Sequence, residues 1–244
     1  MPFTSAIVLA AGKGTRMNVP YPKVLSDLKG QPLIHWVLKQ VNGANLDELI
    51  VVVGYEADLV TKALDADHSS AKIAKQEDQL GTGHAVQIGL ERVSEKSETV
   101  FVTYGDMPFT SANTLRQLVA KQQETNAAVV ITTVVLDDPM ALAFGRVVRD
   151  GHGKIQKIVE QKVCTPEQLK IKECNAGPVA YDTQWLRQNI HLLQKSAVGE
   201  YYLTDLAELA ASGGRAVESI TVQDTKEMHG INTVEHLQQA ENLV

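Results

Sequence analysis

The stretch Ala6-Ile7-Val8-Leu9-Ala10-Ala11-Gly12-Lys13-Gly14-Thr15-Arg16-Met17, followed six residues on by Pro22-Lys23, decides how this chain is read. An apolar run hands over to a turn with two glycines, and three cations, Lys13, Arg16 and Lys23, stand in it or just beyond. Glycine lets the backbone come close to a ligand, because no Cβ intervenes and positive φ is open to it. Successive backbone N–H groups in such a turn make a concave anion site. Cations just beyond suit a polyphosphate better than a single carboxylate, so the loop is read as holding a nucleoside triphosphate. Two familiar phosphate loops do not fit. A Walker A loop requires glycine where Ile7 stands, and the dinucleotide fingerprint requires one at Met17. Gly-x-Gly alone fits an ordinary βα turn equally well. The long polar stretch with Arg16, Pro20, Pro22 and Lys23 exceeds the usual span of about 2–6 residues and favours a ligand loop.

Outward from this loop the first half alternates. Apolar, β-branched runs at Ala6–Leu9, Leu49–Val53, Ala71–Ala74, Val100–Thr103 and Ala127–Val135 suit strands covered on both faces. Between them lie helical stripes: Ile34, Val37, Leu38 and Val41 behind Pro32; Leu59, Val60 and Leu64; Val86 and Leu90; Leu115, Leu118 and Val119. The pattern predicts an α/β fold, a Rossmann-like, three-layer, mostly parallel sheet. Ligands of such sheets sit beyond the carboxyl ends of the strands. That rim would hold Gly12 and the end of the Val100–Thr103 strand. The second half is less regular. Gly145–Arg149 and Lys154–Glu160 flank a hairpin turn, a strand is predicted over Glu173–Tyr181, and helices near Thr183–Leu193 and Leu203–Ala211. A strand near Ala216–Val222 and a last helix after Asn232 follow. This part reads as a smaller lobe closing over the sheet with the second substrate. The expected organisation is one domain over 1–244, with a nucleotide-binding half at 1–135, the smaller lobe at 136–229 and a C-terminal helix at 230–244.

Bulk properties narrow the function. A chain of 244 residues buries about 70–75% of its unfolded surface and requires no staple. The formal charge of −6 argues against a nucleic-acid surface, so an anionic substrate must be held by locally placed cations. Two cysteines, Cys164 and Cys174, lack metal-ligand spacing and suit a reducing cytoplasm. The apolar run breaks at Gly12, so neither a signal peptide nor a membrane span is expected. No His-Glu-x-x-His and no Gly-x-Ser-x-Gly elbow occurs, and no hexapeptide repeat of the β-helix type.

Several segments carry candidate chemistry. Tyr104-Gly105-Asp106 ends a central strand, where an aspartate can hold a hard cation; as a turn or cap residue it would be redundant beside Pro108 and Ser111. Gln76 carries an amide that can pair with the edge of a pyrimidine, and Gly81 and Thr82 open a helix; a strand end with a Gly-Thr cap reads equally well. Glu160 and Asn175 offer acceptor and amide groups to sugar hydroxyls, although singly each fits a surface or turn residue better. Asn232 reads as an N-cap, since asparagine is a preferred capping residue.

Taken together these segments resemble the sugar-nucleotide pyrophosphorylases, and among them the uridyltransferase domains of N-acetylglucosamine-1-phosphate uridyltransferases. The resemblance runs over nearly the whole chain: residues 9–25, 79–85 and 104–106, then 145–147, 158–160, 200–205 and 230–232. It implies the nucleotide-diphospho-sugar transferase fold, with Leu9, Ala10, Ala11 and Gly12 along the nucleotide and Arg16 and Lys23 on the phosphates. It implies uracil on Gln76, Gly81 and Thr82, and Tyr104, Gly105 and Asp106 at the reacting centre. Gly145, Glu160 and Asn175 would bind the amino sugar, and Asp106 and Asn232 a magnesium ion. The expected reaction joins UTP and N-acetylglucosamine-1-phosphate, with small-molecule partners only and no nucleic acid or membrane. Departures lie at the sugar side: Gln161-Lys162-Val163 stands where the family usually has His-Lys-Asp, and Asn175-Ala176-Gly177, followed by Pro178, where it has Asn-Thr-Gly. The β-helix acetyltransferase domain of the bifunctional enzymes is not expected here. Two alternatives stand beside this expectation. One is a nucleotidyltransferase for another sugar phosphate or nucleotide. The other is a non-catalytic relative, whose hallmark would be loss of the arginine, lysine or aspartate.

Overall fold

The computed structural model describes residues 2–66, 70–140 and 143–244. Eleven strands and seven α-helices follow in chain order: β1 Thr4–Ala10, β2 Asp27–Leu28, β3 Gln31–Pro32, α1 Leu33–Asn42, β4 Glu48–Val53, α2 Ala57–Ala66, β5 Lys72–Lys75, α3 Thr82–Leu90, β6 Thr99–Tyr104, α4 Ala112–Thr125 and β7 Val129–Val135. Then come β8 Arg146–Arg149, β9 Ile155–Val159, β10 Glu173–Asp182, α5 Thr183–Asn189, α6 Asp205–Ser212, β11 Val217–Thr221 and α7 Val234–Glu241. The central sheet runs β11-β7-β10-β6-β1-β4-β5, and β10 alone lies antiparallel to its neighbours β6 and β7.

Strand alternation sorts the core into two layers. Ala6, Val8 and Ala10 of β1 and Leu49, Val51 and Val53 of β4 pack with Ile34, Val37 and Leu38 of α1. Ile7, Ile50 and Val52 face the other way, against Val86 and Leu90 of α3. With both faces covered, the strands are near-continuous apolar runs, as parallel sheets require. Each fully buried aliphatic side chain contributes about 1.5–3 kcal/mol. Helix starts follow their caps: Ser111 Oγ accepts from Thr114 N–H at 3.1 Å for α4, and Asp182 from Trp185 N–H at 2.9 Å for α5.

Three expectations are corrected. Leu59, placed on the buried stripe of α2, is 43% exposed, and Ala57 takes the inward position with Val60 and Leu64. The strand expected over Glu173–Tyr181 in the smaller lobe belongs to the central sheet, as does the one near Ala216–Val222, now β11. Among the described strands of this sheet, β8 and β9 form a hairpin off the main path, attached through the pairing of Cys174 with Arg146. β10 is buried on both faces only over its second half, Pro178, Val179, Ala180 and Tyr181, and its antiparallel direction left no mark in its composition. The cap of α7 is Thr233, whose hydroxyl accepts from His236 N–H at 3.2 Å, one residue beyond Asn232.

Register fixes the rim. Leu9 pairs with Tyr104, Ala10 with Val53, and Val53 with Lys75. Residues 11–16, 54, 76 and 105–106 therefore leave the sheet side by side.

Candidate active site

The loop after β1 makes a short 3₁₀ turn at Thr15–Met17, and Lys23–Leu25 makes a second. Gly14, at φ +65°, opens the first turn, and a Cβ there would stand 2.5 Å from Lys23 Cβ. Gly14 is thus what lets the Lys23 stem cross the loop. A Cβ on Gly12, by contrast, would meet nothing within 4 Å, so the space above it is open for a ligand.

Four residues far apart in sequence meet here. Lys23 pairs with Asp106 and donates to Asn232 Oδ1 at 2.8 Å, and Arg16 donates to the same oxygen at 2.9 Å. The Lys23 and Asp106 side chains are only 13% and 18% exposed. Asn232 arrives because Ile231 N–H donates to the Asp106 carbonyl at 2.8 Å, docking the start of the last helix onto the end of β6. Asn232 therefore meets Arg16 and Lys23 and is not the cap its sequence context suggested. Lys13 lies apart, its ammonium 5.2 Å from the centre of the Tyr55 ring.

Lys23 and Asp106 line a cleft of about 480 Å³ that also includes Leu9, Ala10, Ala11, Gly12, Gln76, Gly81, Thr82, Tyr104, Glu160 and Asn175. Of the other expected residues, Gly105 packs beneath it, where a Cβ would approach Val24 Cγ1 to 3.0 Å. Gly145 sits behind Glu160, and its carbonyl accepts from Asn175 N–H at 2.8 Å. Arg16 and Asn232 do not line the cleft themselves: Asn232 joins it through Lys23, and Arg16 through Asn232. Six residues to which sequence reading gave no role also line it: Val24, Gln79, Ala85, Glu200, Tyr202 and Thr204. The last three lie in the segment 200–205, whose one signal was the motif itself.

The wall at Gln76 and Gly81 is tied by hydrogen bonds. Gln76 is 3% exposed, and its Nε2 donates to the Gly81 carbonyl at 3.2 Å and to His84 Nδ1 at 3.0 Å. Gly81, at φ +100°, passes so close to Tyr201 that a Cβ would stand 2.7 Å from its carbonyl oxygen. Gly83 N–H donates to that oxygen at 2.8 Å, and Leu203 N–H donates to Thr82 Oγ1 at 3.0 Å. The opposite wall is acidic. Thr204 donates to Glu160 Oε1 at 3.0 Å. Burial, then the charges of Glu208 and Glu160, raise the Asp205 carboxyl above its usual range. Burial, with Glu160 and Asp106 nearby, pushes the Tyr104 phenol well up, so it stays a neutral hydrogen-bonding group at pH 7. The Ala176-Gly177-Pro178 departure coincides with the register shift of β10 between Asn175 and Val179, and Thr132 Oγ1 donates to the Pro178 carbonyl at 2.7 Å.

The residues suit a magnesium ion in chemistry and direction. Asp106 and Asn232 aim one carboxylate and one amide oxygen at a single cation, the Lys23 ammonium. Magnesium favours a small oxygen set of this kind, completed by substrate phosphates. Among the described residues no group of three or more His, Cys, Asp or Glu could hold a metal by protein ligands alone.

A slightly larger cleft, about 540 Å³, lies at the opposite rim, lined by Ser97, Thr99, Gln122, Gln123 and Arg187 among others. Its polar groups are satisfied internally: Thr99 donates to Gln122 Oε1 at 2.7 Å, and Arg187 to the Val93 carbonyl at 2.7 Å. It has neither the glycine loop nor the convergent cations. Among the described residues no helix is long and apolar enough to cross a membrane.

Comparison with known proteins agrees with this geometry. Residues 6–196 match the MobA-like NTP transferase domain. The chain is 40% identical over 233 residues to the bifunctional protein GlmU of Trichlorobacter lovleyi, covering 95% of this chain and 50% of that protein. It is 42% identical over 243 residues to the bifunctional protein GlmU of Paraburkholderia phymatum, covering 97% of this chain and 51% of that protein. The chain thus spans about half the length of the curated relatives it matches. A UDP-glucose pyrophosphorylase solved with UDP-glucose superposes with a TM-score of 0.78 at 17% identity, over 99% of this chain and 98% of that one. The fold is that of the nucleotide-diphospho-sugar transferases.

Proposed function

The chain belongs to the MobA-like NTP transferase domain family, and from that premise we propose that it transfers a uridylyl group from UTP to N-acetylglucosamine-1-phosphate, releasing pyrophosphate. The observation that carries this reading is the meeting of Arg16, Lys23, Asp106 and Asn232 at the carboxyl ends of β1 and β6. Across the same cleft stand Glu160 and Asn175, suited to sugar hydroxyls. The 40–42% identity to GlmU proteins supports the choice of donor and acceptor.

The nucleophile is a phosphate oxygen of the sugar phosphate, already anionic at pH 7. No proton has to be removed, which agrees with a cleft whose described lining holds neither histidine nor serine. Catalysis is then positioning and charge neutralisation of an in-line transfer. Backbone N–H groups of the Gly12 loop take the phosphates, with Arg16 and Lys23 turning from Asn232 and Asp106 toward the leaving pyrophosphate. Asp106 and Asn232 would hold a magnesium ion, which when bound supplies positive charge to the phosphate oxygens. Gln76 offers its free Oε1, and Gly81 its backbone N–H, to the N3–H and O4 edge of uracil.

A panel of nucleoside triphosphates crossed with hexose- and hexosamine-1-phosphates, read as pyrophosphate release with and without magnesium, tests the reading. UTP with N-acetylglucosamine-1-phosphate is expected to give the highest kcat/KM. A preference for another donor or another sugar would reassign the substrate, and no turnover with any pair would sink the enzymatic reading altogether.

A further inference from the structure

We propose that His84 is a positioning residue that fixes the Gln76 amide and thereby decides which pyrimidine the cleft accepts. The inference rests on the reading above, in which Gln76 meets the base. A glutamine amide can present either its oxygen or its two N–H donors to a ligand, and the partners on its other side decide which. Here both partners demand N–H. The Gly81 carbonyl can only accept, and Gln76 Nε2 donates to it at 3.2 Å. His84 Nδ1 lies 3.0 Å from the same nitrogen and must accept as well, since two donors cannot bond each other. That places the imidazole proton on Nε2.

With both amide hydrogens committed, Oε1 is what Gln76 has left to offer. Among the described residues nothing donates to it, and Gln76 lines the nucleotide cleft. Gly81, beside it, keeps a backbone N–H that no described group accepts. The wall thus offers an acceptor and a donor. Uracil matches with N3–H and O4, whereas cytosine carries the reverse order, an N3 acceptor and an N4 donor. A flipped amide would reverse the preference, but it would set Oε1 against the Gly81 carbonyl, two acceptors facing each other, and would require His84 to move its proton to Nδ1. His84 does this without lining the nucleotide cleft. Its ring lines a separate cleft of about 190 Å³, with Gln87, His191 and Tyr201.

Titration calorimetry with UTP and CTP, each with magnesium, tests this on the whole chain without involving the sugar site. In the unmodified protein UTP is expected to bind more tightly than CTP. His84→Phe keeps the ring and removes the acceptor, and is expected to cut the CTP-to-UTP Kd ratio about tenfold, mainly by weakening UTP. His84→Asn, whose Oδ1 restores an acceptor near the Nδ1 position, is expected to keep the ratio within about threefold of the parent. His84→Ala provides a second acceptor-free variant should the phenylalanine protein not fold, as judged by circular dichroism. If both acceptor-free variants weaken UTP and CTP by the same factor, His84 is a packing residue and the inference is overturned while the UTP reading stands. If the unmodified protein binds the two nucleotides equally, the UTP reading fails and this inference with it.

Discussion

Lys23 pairs with Asp106 and donates to Asn232, so Lys23 and Asp106 are direct probes of the site. Lys23→Ala and Asp106→Ala are expected to lower kcat about 10²–10³-fold each, the usual cost of removing one charge-stabilising group from a transition state. Circular dichroism should show the fold intact, and near-parental turnover by either variant would refute the assignment. The two loop glycines separate packing from binding. Gly14→Ala forces an L-residue into left-handed backbone at a cost of about 1–2 kcal/mol, and it drives a Cβ into Lys23. It should lower both urea stability and kcat. Gly12→Ala meets no protein atom and should leave stability unchanged while raising the Kd for UTP. Equal loss of stability in both would contradict this division. At this scale the sequence was legible where a residue type has few uses, as with glycines in a cation-rich loop. It misled at Asn232, where asparagine before a helix satisfies the capping rule as well as Thr233 does, and only the docking of Ile231 onto Asp106 separates the two.

Elements are tied at the amino-end rim by Glu48, at the start of β4. Burial pushes its carboxyl up, but hydrogen bonds from Lys72, Ser94 N–H at 2.9 Å and Ser5 at 3.0 Å hold it below the usual glutamate range. A lowered folded-state pKa means the stabilisation is present above the ordinary glutamate value of about 4.3 and is lost as pH falls through the folded value. Glu48→Gln should therefore lower unfolding free energy by about 1–3 kcal/mol at pH 7. Half-exposed Lys72 contributes less than about 1 kcal/mol of this, because solvent screens it. Urea titrations at stepped pH should show the gap to the parent closing as pH falls below the ordinary glutamate range, and a gap independent of pH would refute the assignment. Helices and parallel strands were legible as elements because burial on one or both faces writes a period of its own. The direction of β10 was not, since neither its alternating first half nor its buried second half reads differently when the strand is reversed.

For the whole molecule, the cleft draws on loops from residue 9 to residue 204, with Asn232 joining from the start of the last helix. A nucleotide bound there stabilises the entire fold. UTP with magnesium at about 100 times its Kd should add about 2.7 kcal/mol and raise Tm by roughly 5–10 °C for a chain of this size. Asp106→Ala should reduce that shift, and an undiminished shift would place the nucleotide elsewhere. By itself the sequence determined the alternation of strands and helices, the rim on which a ligand must sit and the glycine loop that faces it. These follow from hydrophobic period and from the conformational freedom of glycine, both local properties. Only the tertiary structure decided that β10 enters the sheet reversed, that Asn232 closes the cation cluster and that His84 and Gly81 aim the Gln76 amide. Each depends on contacts between residues near in space, whether eight positions apart, as Gln76 and His84 are, or more than two hundred, as Lys23 and Asn232 are, and hydrogen-bond direction leaves no periodic trace in a sequence.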